Sequence, residues 1–252
     1  MSNLYERTDI YDLFENEERH REVRRHWEKV LEGKNIHTML DVSIGTGNLT
    51  LPAAELGVKL SGSDLSSAML RKCEEKAHAK SLEIDLRESD FRELKQNFSE
   101  TYDCVASTGN SIPYVTNEEA KAVLEQMDAL VKSGGYLYFD MRNWDKILEK
   151  RQRFYLYDPV FDGDTRINFL QVWDYNADES MTFHLLYLFE KDGKIFQKEH
   201  FEEHYFPIKR SHLLEKLESM GYRELQVMCH PAYFEEVEPD KADWYCVIAQ
   251  KE

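Results

Sequence analysis

Long apolar runs are missing from this chain. Hydrophobic residues make up 42% of its 252 residues, yet no stretch approaches the roughly 18 needed to cross a bilayer, and the charged, aromatic start does not read as a signal peptide. A soluble, cytoplasmic protein with no membrane partner is expected. Cysteine is sparse: Cys73, Cys104, Cys229 and Cys246 are scattered with no C-x-x-C pair, so neither a disulfide framework nor a zinc site is expected. Basic residues are outnumbered 32 to 48, leaving a net charge of −16, which argues against gripping nucleic-acid phosphate over a broad surface and favours a small-molecule substrate. The acidic and basic residues interleave, as between Glu15 and Glu32, which describes solvated helix faces.

Glycines are few, but two fall close together where an apolar run ends. Met39-Leu40-Asp41-Val42-Ser43-Ile44-Gly45-Thr46-Gly47-Asn48-Leu49-Thr50 reads as a strand closing on a carboxylate, a Gly-x-Gly turn, and a helix from near Leu49. Such a turn lets backbone approach a ligand, and the helix start aims N–H groups into the same space. Thr50 stands where a dinucleotide fingerprint needs a small residue, and Asp41 would repel a pyrophosphate. Both favour S-adenosylmethionine, with Asp41 near its ammonium. Nineteen residues after Gly45, the run Val58 to Ser63 leads into Asp64, which is placed to accept hydrogen bonds from ribose hydroxyls.

Strands and helices alternate through the first part: Ile36 to Ser43, a helix, Val58 to Ser63, a helix from Ser66, Leu82 to Arg87, Tyr102 to Ser107, a helix over about 117–131, and Tyr136 to Asp140. This predicts an α/β fold with parallel strands, crossover helices on both faces, and ligands at the strands' carboxyl ends. From about Arg151 to Phe206 short aromatic and β-branched runs punctuated by Asp162-Gly163 and Asp192-Gly193 predict antiparallel strands joined by tight turns. A helix from Ser211 to Met220 and strands at 225–228 and 244–249 follow, the last two as a hairpin closing the main sheet. The expected division is a cofactor core over 1–150, an inserted β-rich lid over 151–206, and a closing segment over 207–252.

At this point the residues resemble class I S-adenosylmethionine-dependent methyltransferases, and more narrowly the glycine and sarcosine N-methyltransferase group. The narrower likeness rests on Ser107-Thr108-Gly109-Asn110-Ser111, on Asp140-Met141-Arg142-Asn143-Trp144-Asp145-Lys146-Ile147-Leu148, and on Tyr205-Phe206-Pro207. Thr108, Met141 and Trp144 depart from the group's pattern. The resemblance implies a Rossmann-like, mostly parallel seven-stranded sheet and a cofactor set of Asp41, Ser43, Gly45, Thr46, Gly47, Asp64, Leu65, Met69, Asp90, Phe91 and Ser107. Within it, Asp90 would meet the adenine amine and Phe91 would pack on the ring. S-adenosyl-L-homocysteine would be the product, with no metal involved.

For the acceptor, Arg142 at a central strand's end offers a planar fork for an amino acid's carboxylate, with Asn110 beside it. Tyr155, Tyr157, Tyr187, Tyr205 and Phe206 supply ring faces that suit a cation, although strands favour such residues anyway. By resemblance Tyr157 and Tyr187 come first, so Asn110, Arg142 and Tyr187 form the expected catalytic set. His200 and His204 share a strand face with Glu203 between them, but no third ligand has suitable spacing. Methylation of another small molecule at oxygen or carbon, or cofactor binding without turnover, remains open at this stage.

Overall fold

The computed structural model describes residues 3–229 and 238–252. The chain opens with helices α1 (Thr8–Tyr11) and α2 (Glu17–Leu31). The Asn16 side chain accepts the Arg19 N–H, Glu17 and Glu18 occupy the positive first turn of α2, and Val23, Trp27 and Val30 are buried along one face. Strand β1 (Thr38–Asp41) and helix α3 (Leu51–Glu55) follow, then β2 (Lys59–Asp64), α4 (Ser67–Ala79), β3 (Asp85–Glu88), α5 (Leu94–Asn97) and β4 (Tyr102–Ser107). Helix α6 (Asn117–Asp128) starts with a reciprocal cap between Thr116 and Glu119 and leads to β5 (Val131–Arg142) and α7 (Trp144–Lys150). Strands β6 (Phe154–Leu156), β7 (Val160–Asp162), β8 (Thr165–Tyr175), β9 (Met181–Lys191) and β10 (Lys194–Tyr205) come next. Helix α8 (Arg210–Ser219), β11 (Tyr222–Cys229) and β12 (Trp244–Lys251) end the chain.

Seven strands form the central sheet in the order β11-β12-β5-β4-β1-β2-β3. The pairs among β3, β2, β1, β4 and β5 are parallel, while β12 runs antiparallel to both β5 and β11. The parallel strands follow the alternation, and the whole is the Rossmann-like class I methyltransferase architecture that the resemblance implied. The order reverses between β1 and β4, and there the carboxyl ends leave a crevice. Apolar layers cover both faces: one cluster includes Leu40, Val105, Phe139 and Trp144, the other Trp27, Met39, Leu60 and Tyr138. His26, buried on α2, pairs with the Tyr138 hydroxyl at 2.8 Å, and burial pushes its imidazole down to about 3, so it stays neutral.

The second sheet is antiparallel, ordered β10-β9-β8-β6 with β7 also on β8. Burial alternates strictly along β8 and β9, with Phe169, Trp173, Phe183, Leu185 and Tyr187 on the inner face. Several boundaries differ from the sequence reading, among them the end of α6, which stops at Asp128 so that Val131 falls in a strand, and two of the differences have a visible cause. Strand β5 begins at Val131 rather than Tyr136, because Tyr102 of β4 already offers it a pairing partner before a register shift. Helix α3 begins at Leu51 rather than Leu49, since the Trp27 indole takes the Leu49 carbonyl at 2.6 Å and Thr50 turns its hydroxyl to Asp41.

Candidate functional site

The loop after β1 meets the end of β2 in a cleft lined by Ser43, Ile44, Gly45, Thr46, Asn48, Leu49 and Asp64 on one side and Thr108, Gly109 and Ser111 on the other. Tyr5 and Tyr11 close its front. The sequence reading placed Ser43, Gly45, Thr46 and Asp64 here. It missed the two tyrosines, whose one signal was the aromatic character of the chain's start. Gly45 and Gly47 both adopt left-handed backbone, at φ +55° and +82°. A Cβ on Gly47 would lie 2.7 Å from both Cys73 Sγ and Leu51 Cδ1, so the turn needs glycine twice over, for conformation and for space.

Asp64 is mostly buried, accepts N–H groups from Gly45 at 3.0 Å and Ser66 at 2.9 Å, and burial raises its carboxyl. Asp41, by contrast, sits beneath the loop. It is fully buried, receives the hydroxyls of Thr50 at 3.0 Å and Thr108 at 2.7 Å and the Ser43 N–H at 3.1 Å, and burial pushes it up to about 6. It knits the β1 and β4 loops together and is not on the cleft wall. Ser107 is also behind the wall, its hydroxyl 3.1 Å from that of Ser43. Met69 is buried on α4 and Leu65 is exposed. Asp90 caps the turn after β3, where Arg92 holds its carboxyl below the usual range, and Phe91 packs in the core beside it.

The residues expected to meet the acceptor stand on the ends of β4 and β5. Asp140 Oδ1 takes the Gly109 N–H at 3.0 Å, and burial pushes its carboxyl up to about 8. That bond holds Gly109 and Asn110 in successive left-handed conformations, φ +76° and +63°. Asn110 Oδ1 then accepts the Arg142 N–H at 3.0 Å and the Trp144 indole N–H at 3.1 Å, while its buried Nδ2 has no partner among the described residues. Trp144, a departure from the group's tyrosine, thereby supplies a donor to Asn110. Met141, the other departure, is buried with Sδ 3.0 Å from the Tyr245 hydroxyl.

The Arg142 guanidinium lies in an aromatic box, 5.1 Å from the Trp244 ring centroid and 5.5 Å from those of Trp173 and Phe183. The Tyr157 hydroxyl and Gln171 Oε1 stand 3.4 and 3.5 Å from Nη2. Two ring stacks carry this box on the inner face of the second sheet: Tyr155, Trp173 and Phe183 in one, Tyr157, Phe169 and Tyr187 in the other. Tyr187 is buried against Phe169, and burial raises its hydroxyl.

One buried acid belongs to this face although the sequence reading noted it only as lying between two histidines. Glu203 alternates with His200, Glu202 and His204, so it points inward beside Phe201 and Tyr205 while the histidines point out. Burial pushes its carboxyl up to about 7, against the Tyr114 hydroxyl, which pulls it down. The Tyr114 hydroxyl bonds in turn to those of Tyr205, at 2.7 Å, and Tyr5, which links the acid to the front of the cleft. Strand alternation alone could have revealed it, because a lone acid at an inward position between Phe201 and Tyr205 is anomalous.

The cleft fits S-adenosylmethionine by its donors. A carboxylate at the end of β2 suits ribose hydroxyls, glycine backbone free of Cβ atoms suits close approach, and tyrosine rings suit a sulfonium. Comparison with known proteins agrees. Residues 39–135 match the methyltransferase-domain family. A glycine/sarcosine N-methyltransferase from Aphanothece halophytica is 24% identical over 235 residues, covering 89% of this chain and 80% of that one. Another from Parasynechococcus marenigrum is 24% identical over 228 residues, covering 89% and 75%. Among solved structures, an S-adenosylmethionine-dependent methyltransferase from Clostridium acetobutylicum superposes with a TM-score of 0.76 at 18% identity over 97% of both chains. An amino pentose methyltransferase from Micromonospora echinaspora with S-adenosylmethionine bound gives 0.75 at 16% identity, covering 100% of this chain and 98% of that one. No helix among the described residues is long and apolar enough to cross a membrane.

Proposed function

We propose that this chain, an S-adenosylmethionine-dependent methyltransferase, methylates the nitrogen of a small amino acid of the glycine or sarcosine kind. The observation that carries the reading is the Arg142 fork in its aromatic box, on a residue whose backbone N–H is held by Asn110, itself with a buried Nδ2 that has no partner among the described residues. A guanidinium clamps a carboxylate bidentately, an amide donor adds a third bond, and desolvation by the rings strengthens all of them. Two relatives that each span 89% of this chain are glycine/sarcosine N-methyltransferases by name.

Asp64 and the Gly45 loop would hold the cofactor, which when bound brings a sulfonium-activated methyl group. The residues around the acceptor then have three tasks. Arg142 and Asn110 fix the carboxylate end, which sets the direction of the amine. The tyrosine rings of 157 and 187 exclude water and tolerate positive charge. An ammonium has no lone pair, so a proton must leave first; Glu203, near neutrality in its affinity for protons, receives it from the nitrogen as the neutral amine forms.

Transfer of labelled methyl groups to glycine, sarcosine, dimethylglycine, larger amines and an amino sugar tests the proposal, with calorimetric cofactor binding alongside. Turnover on a small amino acid is expected. Cofactor binding with methylation confined to the amino sugar or to an oxygen or carbon acceptor would refute the acceptor assignment.

A further inference from the structure

The outer face of the second sheet carries a cluster that methyl transfer does not use. We propose that His184 on β9 with His200 and Glu202 on β10 form a binding site for a borderline divalent cation of the zinc class. His184 Nδ1 lies 3.1 Å from His200 Nε2 and 3.4 Å from Glu202 Oε1, and His200 Nε2 lies 3.8 Å from the same oxygen. A tetrahedral zinc, with bonds of about 2.0–2.1 Å, holds neighbouring ligands roughly 3.3–3.4 Å apart. The three atoms thus already stand near the corners of one face of such a tetrahedron, and all three are mutually within 4.8 Å.

The surroundings favour coordination. His184 Nε2 is 3.2 Å from Asp174 Oδ2, and the other oxygen of Asp174 is held by Arg153 at 2.8 Å. A carboxylate behind a histidine fixes the tautomer with its proton on Nε2, leaving the Nδ1 lone pair directed at His200 and Glu202. All three side chains are part-exposed, at 25%, 42% and 37%, so water can complete the coordination. Two imidazoles and one carboxylate suit zinc and neighbouring transition ions over calcium or magnesium. The sequence reading weighed His200 with His204 and found no third ligand; the fold instead brings His184 beside His200, while His204 Nδ1 lies 3.4 Å from the Thr182 hydroxyl. A bound ion would cross-link β9 to β10 directly behind Tyr187 and Glu203.

Titration of chelator-treated full-length protein with zinc chloride by calorimetry, with thermal melts in parallel, tests the site. One ion per chain in the micromolar range or tighter is expected, with a zinc-dependent rise in Tm. His184→Ala and His200→Gln should each weaken binding roughly tenfold or more, while His204→Ala, on the same face but outside the cluster, should not. Failure of the unmodified protein to bind zinc, or retention of binding in both cluster variants, would overturn the proposal.

Discussion

Asn110 and Arg142 are joined side chain to backbone: Asn110 Oδ1 accepts the Arg142 N–H at 3.0 Å, from a residue itself held at φ +63°. The bond fixes where the guanidinium starts its reach, so the clamp depends on the loop after β4 as well as on the arginine. Arg142→Lys keeps the charge but loses the planar fork. The acceptor's KM should rise about 10- to 100-fold, the worth of one or two charge-assisted hydrogen bonds, with cofactor affinity within a factor of about two. Steady-state kinetics beside cofactor calorimetry distinguish this from general damage, in which both would fall together.

Glu203 gives the reaction a pH signature. Burial pushes its carboxyl up to about 7, and only the ionised form accepts a proton, so kcat/KM should climb through neutrality. In Glu203→Gln that rise should vanish and kcat should drop about a hundredfold, with cofactor binding intact. A variant that keeps the unmodified profile would remove Glu203 from the chemistry.

Stability should run the opposite way with pH. Burial raises Asp41 to about 6, Glu203 to about 7 and Asp140 to about 8, from ordinary values near 4. Below about pH 4 the folded and unfolded chains both hold these protons. As pH rises the unfolded chain releases them first, so the folded state loses stability up to about pH 8. Urea denaturation should therefore yield a lower unfolding free energy at pH 8 than at pH 5. Asp140→Asn, which keeps an oxygen for the Gly109 N–H, should reduce the drop by on the order of 1–3 kcal/mol. A flat profile in the unmodified protein would contradict the buried-acid account.

The two glycines of the cofactor turn should respond unequally. At Gly45 an added Cβ meets little more than the Tyr11 hydroxyl at 3.7 Å, so Gly45→Ala carries chiefly the left-handed backbone penalty of about 1 kcal/mol. Gly47→Ala adds collisions with Leu51 and Cys73, and should cost roughly 2–4 kcal/mol and most of the cofactor affinity. Thermal melts and calorimetry on the pair read the difference; equal losses would mean that space around Gly47 is not the constraint.

Much of this architecture was legible because alternation is a strong signal. Period-two burial on β8 and β9 and the regular strand–helix order of the core both follow from residue pattern. The glycine turn and Asp64 came from spacing, since a carboxylate closes the next strand nineteen residues after Gly45. What pattern could not supply was direction. Asp41 is a carboxylate after an apolar strand, and nothing in the chain tells that Thr50 and Thr108 will take it under the loop. Tyr5 and Tyr11 lie far from Gly45 in no regular register, so only the folded chain brings them to the cleft. Glu203 was read by its neighbours His200 and His204, which strand geometry turns to the other side.

The front of the cleft has a consequence for traffic. Tyr11 overhangs Gly45, the Tyr5 carbonyl accepts the Ser66 hydroxyl at 3.0 Å, and Asp12 is gripped by Thr46, Asn48 and Lys76. The same segment reaches Tyr114 on the acceptor side. A spent nucleoside leaving by this side must therefore part a small web of polar bonds that also steadies the acceptor's chamber. Were loading and unloading both to pass this way, parting that web would be a step in every turnover.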